Sequence, residues 1–204
     1  MVSYLEIHIP KKPPIPNNFG DALGSPQRQF WKEAIFVQYD KNKNVSLLSA
    51  PIPIKSLPEG KKVLRPLIAP SIKEVDCSDA WKCVARHCAN KSSQIKVIDF
   101  DQSYSPVANA DSFRINISIA SMHRLTARIL DVSNVFQNTN VPVHERVCVS
   151  TPPYYLDWFE ILYPNFPLNL DDGPLCLQCM NGIQGTNPDG RQWNRLLDAV
   201  VTIL

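Results

Sequence analysis

Apolar residues recur at helical spacing near the start and at the end of the chain, and between these stretches the pattern shortens to β-like pieces. Phe30, Trp31, Ala34 and Ile35 form one helical stripe. Ser25 stands as N-cap and Pro26 at the first turn, where a missing N–H costs nothing, and the polar run Asp40 to Asn44 closes the helix. Val45–Leu48, Ile52–Ile54 and Val63–Ile68 read as short strand pieces, the last two separated by Pro58-Glu59-Gly60. Pro66 and Pro70 make the third piece an edge strand or an interrupted one. Trp81–Arg86 predicts a strand, followed by a polar loop through Gln94. Asp111 can cap a helix from Ser112 to about Arg124 with Phe113, Ile117 and Ala120 on one side, although the alternation from Arg114 to Ile119 also fits a strand. Arg128–Val132 reads as a buried strand carrying one acid, and Arg146–Val149 as another short strand. Trp193, Leu196, Leu197, Val200, Val201 and Leu204 form a last helical stripe, an apolar face that runs to the final residue as though the sequence were cut there. Helices and strands in this irregular mixture predict an α+β fold.

Ahead of these elements, Pro10, Pro13, Pro14 and Pro16 with Asn17, Asn18 and Gly20 mark residues 1–24 as an extended arm or linker before a domain over 25–204. With 204 residues, 44% hydrophobic and 20% charged, the chain can bury a core. Its 18 prolines keep long uninterrupted helices from dominating. No apolar run reaches the roughly 20 residues of a membrane span, and Met1 to Glu6 carries no secretory pattern, so an intracellular protein without membrane segments is expected. In that setting Cys77, Cys83, Cys88, Cys148, Cys176 and Cys179 are expected as reduced thiols. The net charge of +2 hides an asymmetry. Lys55, Lys61, Lys62, Arg65, Lys73, Lys82, Arg86, Lys91 and Lys96 crowd one segment, whereas residues 151–189 hold acids and no Lys or Arg. A basic segment suits a polyanion, and a solvated face has the same composition.

Asp131 sits in the apolar run Ile129-Leu130-Asp131-Val132, ahead of Val135-Phe136. Burying a carboxylate requires a cation or donors, so the pattern suits either a metal ligand or a strand-end turn residue. Six blocks then occur in order: Trp31-Lys32-Glu33-Ala34, Leu57-Pro58-Glu59-Gly60, Asp101 to Val107, Asp131 to Asn138, Glu145 to Val149 with Pro152-Pro153, and Gly182 to Trp193. This series resembles the reverse transcriptase of Ty1/copia-type retrotransposons, over the fingers and first half of the palm of a right-hand polymerase.

The resemblance implies roles. Asp131 becomes the first palm carboxylate, catalytic and a ligand of Mg²⁺, with the Val132 backbone beside the metal and triphosphate. Phe136 falls at the sugar gate that excludes a ribose 2′-hydroxyl. Lys73 and Lys82 take the basic finger positions that neutralise the incoming triphosphate, Lys82 standing near where the family carries Arg. Gln184 and Gly185 fall on the loop beside nucleotide and template base. Implied partners are an RNA or DNA template-primer, a deoxynucleoside triphosphate, and the remaining polyprotein (integrase, the rest of the polymerase, RNase H), in a cytoplasmic particle or the nucleus. The family's Tyr/Phe-x-Asp-Asp hairpin is not among these residues; Asp171-Asp172 precede Gln184 and sit in ordinary turn chemistry with Gly173-Pro174. His87 follows Arg86 where the family's finger loop has glycine. The implied chain is therefore a partial polymerase, inactive alone. Two alternatives stay open: a non-enzymatic nucleic-acid binder using residues 55–96, and a small zinc domain using Cys176 and Cys179 with Cys83, His87 and Cys88.

Overall fold

The structure, a computed structural model, describes residues 12–75, 80–96, 100, 103–106, 109–126, 128, 132, 134–168, 171 and 173–203. It is a mixed α+β arrangement. The proline-rich arm gives way early to a helix, α1 (Phe19–Gly24), where the Asn18 side chain accepts from the Asp21 N–H and so caps the first turn. Ser25 caps neither helix in the expected way. Its hydroxyl donates to Ala22 O at 2.7 Å and accepts from the Gln27 N–H at 3.2 Å, linking α1 to α2 (Arg28–Asn44) through a tight turn. Helix α2 buries Trp31, Ala34, Ile35, Phe36, Tyr39 and Asn42 along one stripe. It ends at Asn44, the last residue of the polar stretch expected to close it, and within that stretch Asn42 is 1% exposed and hydrogen-bonded in the interior.

The strands fall into two sheets. The four-stranded sheet has the order β1 (Ile52–Pro53), β6 (Leu175–Gln178), β5 (Cys148–Ser150), β2 (Val63–Leu64), with β2 parallel to β5 and the other pairs antiparallel. The second is a hairpin of β3 (Pro66–Glu74) and β4 (Trp81–Ala89), in register from Pro66 opposite Ala89 to Glu74 opposite Trp81. Among the described residues β3 pairs only with β4, so it is the edge strand that Pro66 and Pro70 demand. Strand β4 runs past Arg86 to Ala89, longer than the sequence pattern suggests. Alternation puts Ile68, Ala85 and His87 on the face packed against α2, and Lys73, Lys82 and Arg86 on the other. A two-stranded hairpin is marginal alone, and α2 supplies the cover it needs.

Tyr154, at φ +59°, leads into α4 (Tyr155–Leu162), which packs Tyr155 and Trp158 against Tyr39, with Phe159 stacked on Tyr155. The Tyr39 hydroxyl donates to Pro153 O at 2.7 Å, and Trp158 Nε1 donates to Asp40 at 3.0 Å. One expectation, the Asp111 cap, fails. Helix α3 (Ala110–Met122) is capped by Asn109, not Asp111, and none of its residues is buried; Phe113 is 63% exposed. Helix α5 (Asp189–Ile203) buries Asp189 and Gln192 in its first turn, but Leu197 and Val200 are exposed. Periodicity reports an amphipathic face without saying what covers it. Most of the expected strand 128–132 lies outside the described residues, and the strand expected over Arg146–Val149 is β5, beginning two residues later and ending one later. Among the described residues no helix is long and apolar enough to cross a membrane.

Replacing Trp31, 1% exposed in the first turn of α2, with alanine is expected to cost about 3–5 kcal/mol in urea unfolding. Phe113→Ala on exposed α3 should stay within about 0.5 kcal/mol of the parent. Comparable losses would mean that α3 is packed in solution.

Candidate functional site

A cleft of about 710 Å³ opens where four segments meet. Helix α2 contributes Gln38 and Lys41, β3 contributes Lys73, and β4 contributes Val84, Arg86 and His87. Val132 and the turn Asn134–Gln137 form the facing wall, and Gln184 closes one side. Asn134, at φ +54°, turns the chain into the short 3₁₀ segment Val135–Asn138, which carries Phe136 and Gln137. Glycine makes this approach possible. A Cβ on Gly182 would stand 2.5 Å from Phe136 O and 2.6 Å from Thr139 Oγ1, so the 182 backbone lies directly on the Phe136 turn. Gly185 adopts φ +100° with its α-carbon against Ala89 O, while the Ala89 N–H donates to Gln184 O at 2.9 Å. These contacts tie the 182–185 loop to both the Phe136 turn and the end of β4.

The cleft is cationic at its rim and neutral at its floor. Lys41, Lys73 and Arg86 are exposed, and none has an ion-pair partner among the described residues. On the floor, Asn42 Oδ1 accepts from Gln38 Nε2 at 2.8 Å and from Gln137 Nε2 at 3.3 Å, while Asn42 Nδ2 donates to His87 Nδ1 at 3.2 Å. His87 is 1% exposed with the Tyr39 ring set edge-on to it, and desolvation lowers its pKa from 6.5 to about 4, so it is neutral at ordinary pH. Next to the cleft, Asp189 opens α5 by accepting from both the N–H and the hydroxyl of Thr186. Burial pushes its carboxyl up from 3.8 to about 6, against the pull of those bonds.

No family model matches the chain, and no solved structure matches it. The residues named from the sequence must therefore be read from their placement alone. Lys73, Val132, Phe136 and Gln184, drawn from three stretches of the chain, line this one cleft. Gly185 sits beside Gln184 with its backbone on Ala89. Lys82 lies directly across the hairpin from Lys73 but lines a narrower groove between α2 and β4, with Cys83 and Ala85. Asp131 lies outside the described residues, as does Cys77. Lys41, Arg86, His87 and Gln137 were not singled out for this site from the sequence. Arg86 could have been found, because it falls four residues after Lys82 on one strand face; the burial of His87 and Gln137 has no local signature.

The described lining fits an anion rather than a cation, since it holds no carboxylate. Among the described residues no group of three or more His, Cys, Asp or Glu side chains is placed to hold a metal ion. Mg²⁺ would depend on Asp131. The Cys176 thiol is hydrogen-bonded to Cys148, diagonal to it across β5 and β6, and the Cys88 thiol to Gln184. Burial raises Cys83 and Cys176 to about 11, which disfavours the thiolate that binds metal.

Two pH effects of opposite sign follow from His87 and Asp189. Between about pH 4 and 6.5 the unfolded chain protonates His87 and the folded one does not, so this residue makes stability rise with pH. Between about pH 4 and 6 the folded chain keeps a proton on Asp189 that the unfolded chain has lost, so this residue makes stability fall with pH. Asp189→Asn should unmask a rise of about 3 kcal/mol from pH 4 to 6.5, and His87→Gln a fall, in urea unfolding at several pH values. Curves parallel to the parent in both variants would refute the assignment. Gly182→Ala should destabilise by about 1–3 kcal/mol, because the new methyl must displace the Phe136 turn.

Proposed function

We propose that this chain is the nucleotide- and template-binding part of an RNA-directed DNA polymerase of the Ty1/copia retrotransposon type, with the cleft as the seat of the triphosphate. One observation carries the reading. Four positions named from the sequence for nucleotide or metal contact, Lys73, the nearby pair Val132 and Phe136, and Gln184, border a single cleft although they come from three distant stretches of the chain. Arg86 and Lys41 add positive charge at the same rim, which suits a tetra-anionic ligand.

In this reading Lys73 and Arg86, on one face of the β3–β4 hairpin, neutralise the phosphates. The half-buried Phe136 ring sets the wall against the sugar, and Gln184 borders the base. Mg²⁺, when bound through Asp131, would activate the primer hydroxyl and stabilise the leaving pyrophosphate. The described lining offers it no further carboxylate, and the family's Asp-Asp pair is not among these residues. Binding without transfer is therefore the activity assigned to this chain alone, with the template-primer and the other polyprotein enzymes as its partners inside a cell.

A second reading, nucleic-acid binding without a nucleotide site, draws on the exposed Lys55, Arg65, Lys73, Arg86, Lys91 and Lys96. Calorimetry separates the two. On the first reading a deoxynucleoside triphosphate binds the purified chain, and Lys73→Ala and Arg86→Ala each weaken binding about tenfold. Retained salt-sensitive RNA binding with no triphosphate binding would favour the second. Primer extension on an RNA template should be absent, and extension abolished by Asp131→Asn would overturn the assignment of binding without transfer.

A further inference from the structure

We infer that His87 and Gln137 are the specificity-determining floor of the cleft, where they complete their hydrogen bonds on a neutral donor–acceptor group of the bound nucleotide, a sugar hydroxyl or an amide edge of the base. The inference rests on the nucleotide reading and adds to it what the floor selects. Its basis is a pair of unmatched buried atoms. His87 is 1% and Gln137 7% exposed, both line the cleft, and neither His87 Nε2 nor Gln137 Oε1 has a hydrogen-bond partner among the described residues. Buried polar atoms are seldom left so. Each atom lies just beneath the surface of a residue that lines the cleft, so a small side-chain rotation on binding brings it to the ligand.

The chemistry of the missing partner follows from the network. Asn42 Oδ1 accepts from two amide nitrogens, those of Gln38 and Gln137, which fixes the orientation of the Asn42 amide. Asn42 Nδ2 must then donate to His87 Nδ1, so the ring proton of the neutral imidazole sits on Nε2. Nε2–H is thus an unmatched donor. Gln137, with its Nε2 committed to Asn42, offers Oε1 as an unmatched acceptor. One donor and one acceptor in the same floor suit a ligand group that does both. An anion does not fit there, because the Gln137 oxygen would repel it and burial keeps His87 uncharged. Phosphate binds at the rim of Lys41, Lys73 and Arg86, and the neutral remainder of the ligand is read below.

The test compares inorganic tripolyphosphate, a deoxynucleoside triphosphate and its dideoxy analogue on the folded chain, with thermal melts as a check. The parent should bind the deoxynucleotide about tenfold more tightly than tripolyphosphate. Gln137→Met keeps the volume but removes the acceptor together with the donor to Asn42, and should erase most of that preference while tripolyphosphate affinity, set at the rim, falls less than about twofold. His87→Phe should do the same, whereas His87→Gln, which retains a donor, should keep part of the preference. A dideoxy analogue that binds like tripolyphosphate assigns the group to the sugar hydroxyl; one that binds like the deoxynucleotide assigns it to the base. A preference unchanged in Gln137→Met, or affinities for both ligands falling together, overturns the floor and leaves the nucleotide reading standing. If the parent binds neither triphosphate, the nucleotide reading itself falls and takes this inference with it.

Discussion

Asn42 holds the structure together at its centre. This one buried amide on α2 bonds to a neighbour on its own helix, to His87 on β4 and to Gln137 on the 3₁₀ turn after residue 134. The three segments are far apart in sequence, and no strand ladder joins the turn to the hairpin. In a dry interior each of these bonds is stronger than in water, and each is costly to leave unmade, so they act as a set. The aromatic cluster of Tyr39, Tyr155 and Trp158 packs beside them and keeps water away. Helix α2 therefore does more than cover a hairpin: it sets the distance between the two walls of the cleft.

The second constraint is steric. The loop at 182–185 touches both walls, through Gly182 on the Phe136 turn and Gly185 on Ala89. Neither site has room for a side chain. These contacts bring Gln184 to the cleft by backbone packing, whatever its side chain does. Charge is added from the hairpin, whose outer face offers Lys73 and Arg86 to the same space that its inner face closes with His87. One strand thus supplies a solvated cation and a neutral buried donor at consecutive positions, because alternation along a strand sends neighbours to opposite faces.

Much of this was legible in order of locality. The helix carrying Trp31 and Ile35, an edge or interrupted strand at the prolines, a strand from Trp81 and the terminal helix follow from periodicity and from what proline forbids, whereas the pairing of the two strands does not. Local reasoning failed where a distant contact prevailed. Ser25 looks like the N-cap of the long helix and instead links two helices, and the burial of Asn42 within the polar run that closes α2 has no local sign. Phe113, Ile117 and Ala120 look like a buried stripe, yet α3 buries none of its residues. Of the cleft, Lys73, Val132, Phe136 and Gln184 were nameable in advance only because ordered blocks resembled a polymerase; nothing in their own neighbourhoods distinguishes them.

By itself the sequence determined the mixture of helices and strands, the concentration of positive charge between residues 55 and 96, and the residue types able to meet an anion. Those properties are local or additive, so they survive without coordinates. Which cations share a cleft, that His87 stays neutral, and that Gln137 turns an acceptor into it were decided only by the packing of α2 on the hairpin and of the 182 loop on the Phe136 turn. Burial and orientation depend on residues a hundred positions away, and no local pattern carries that information.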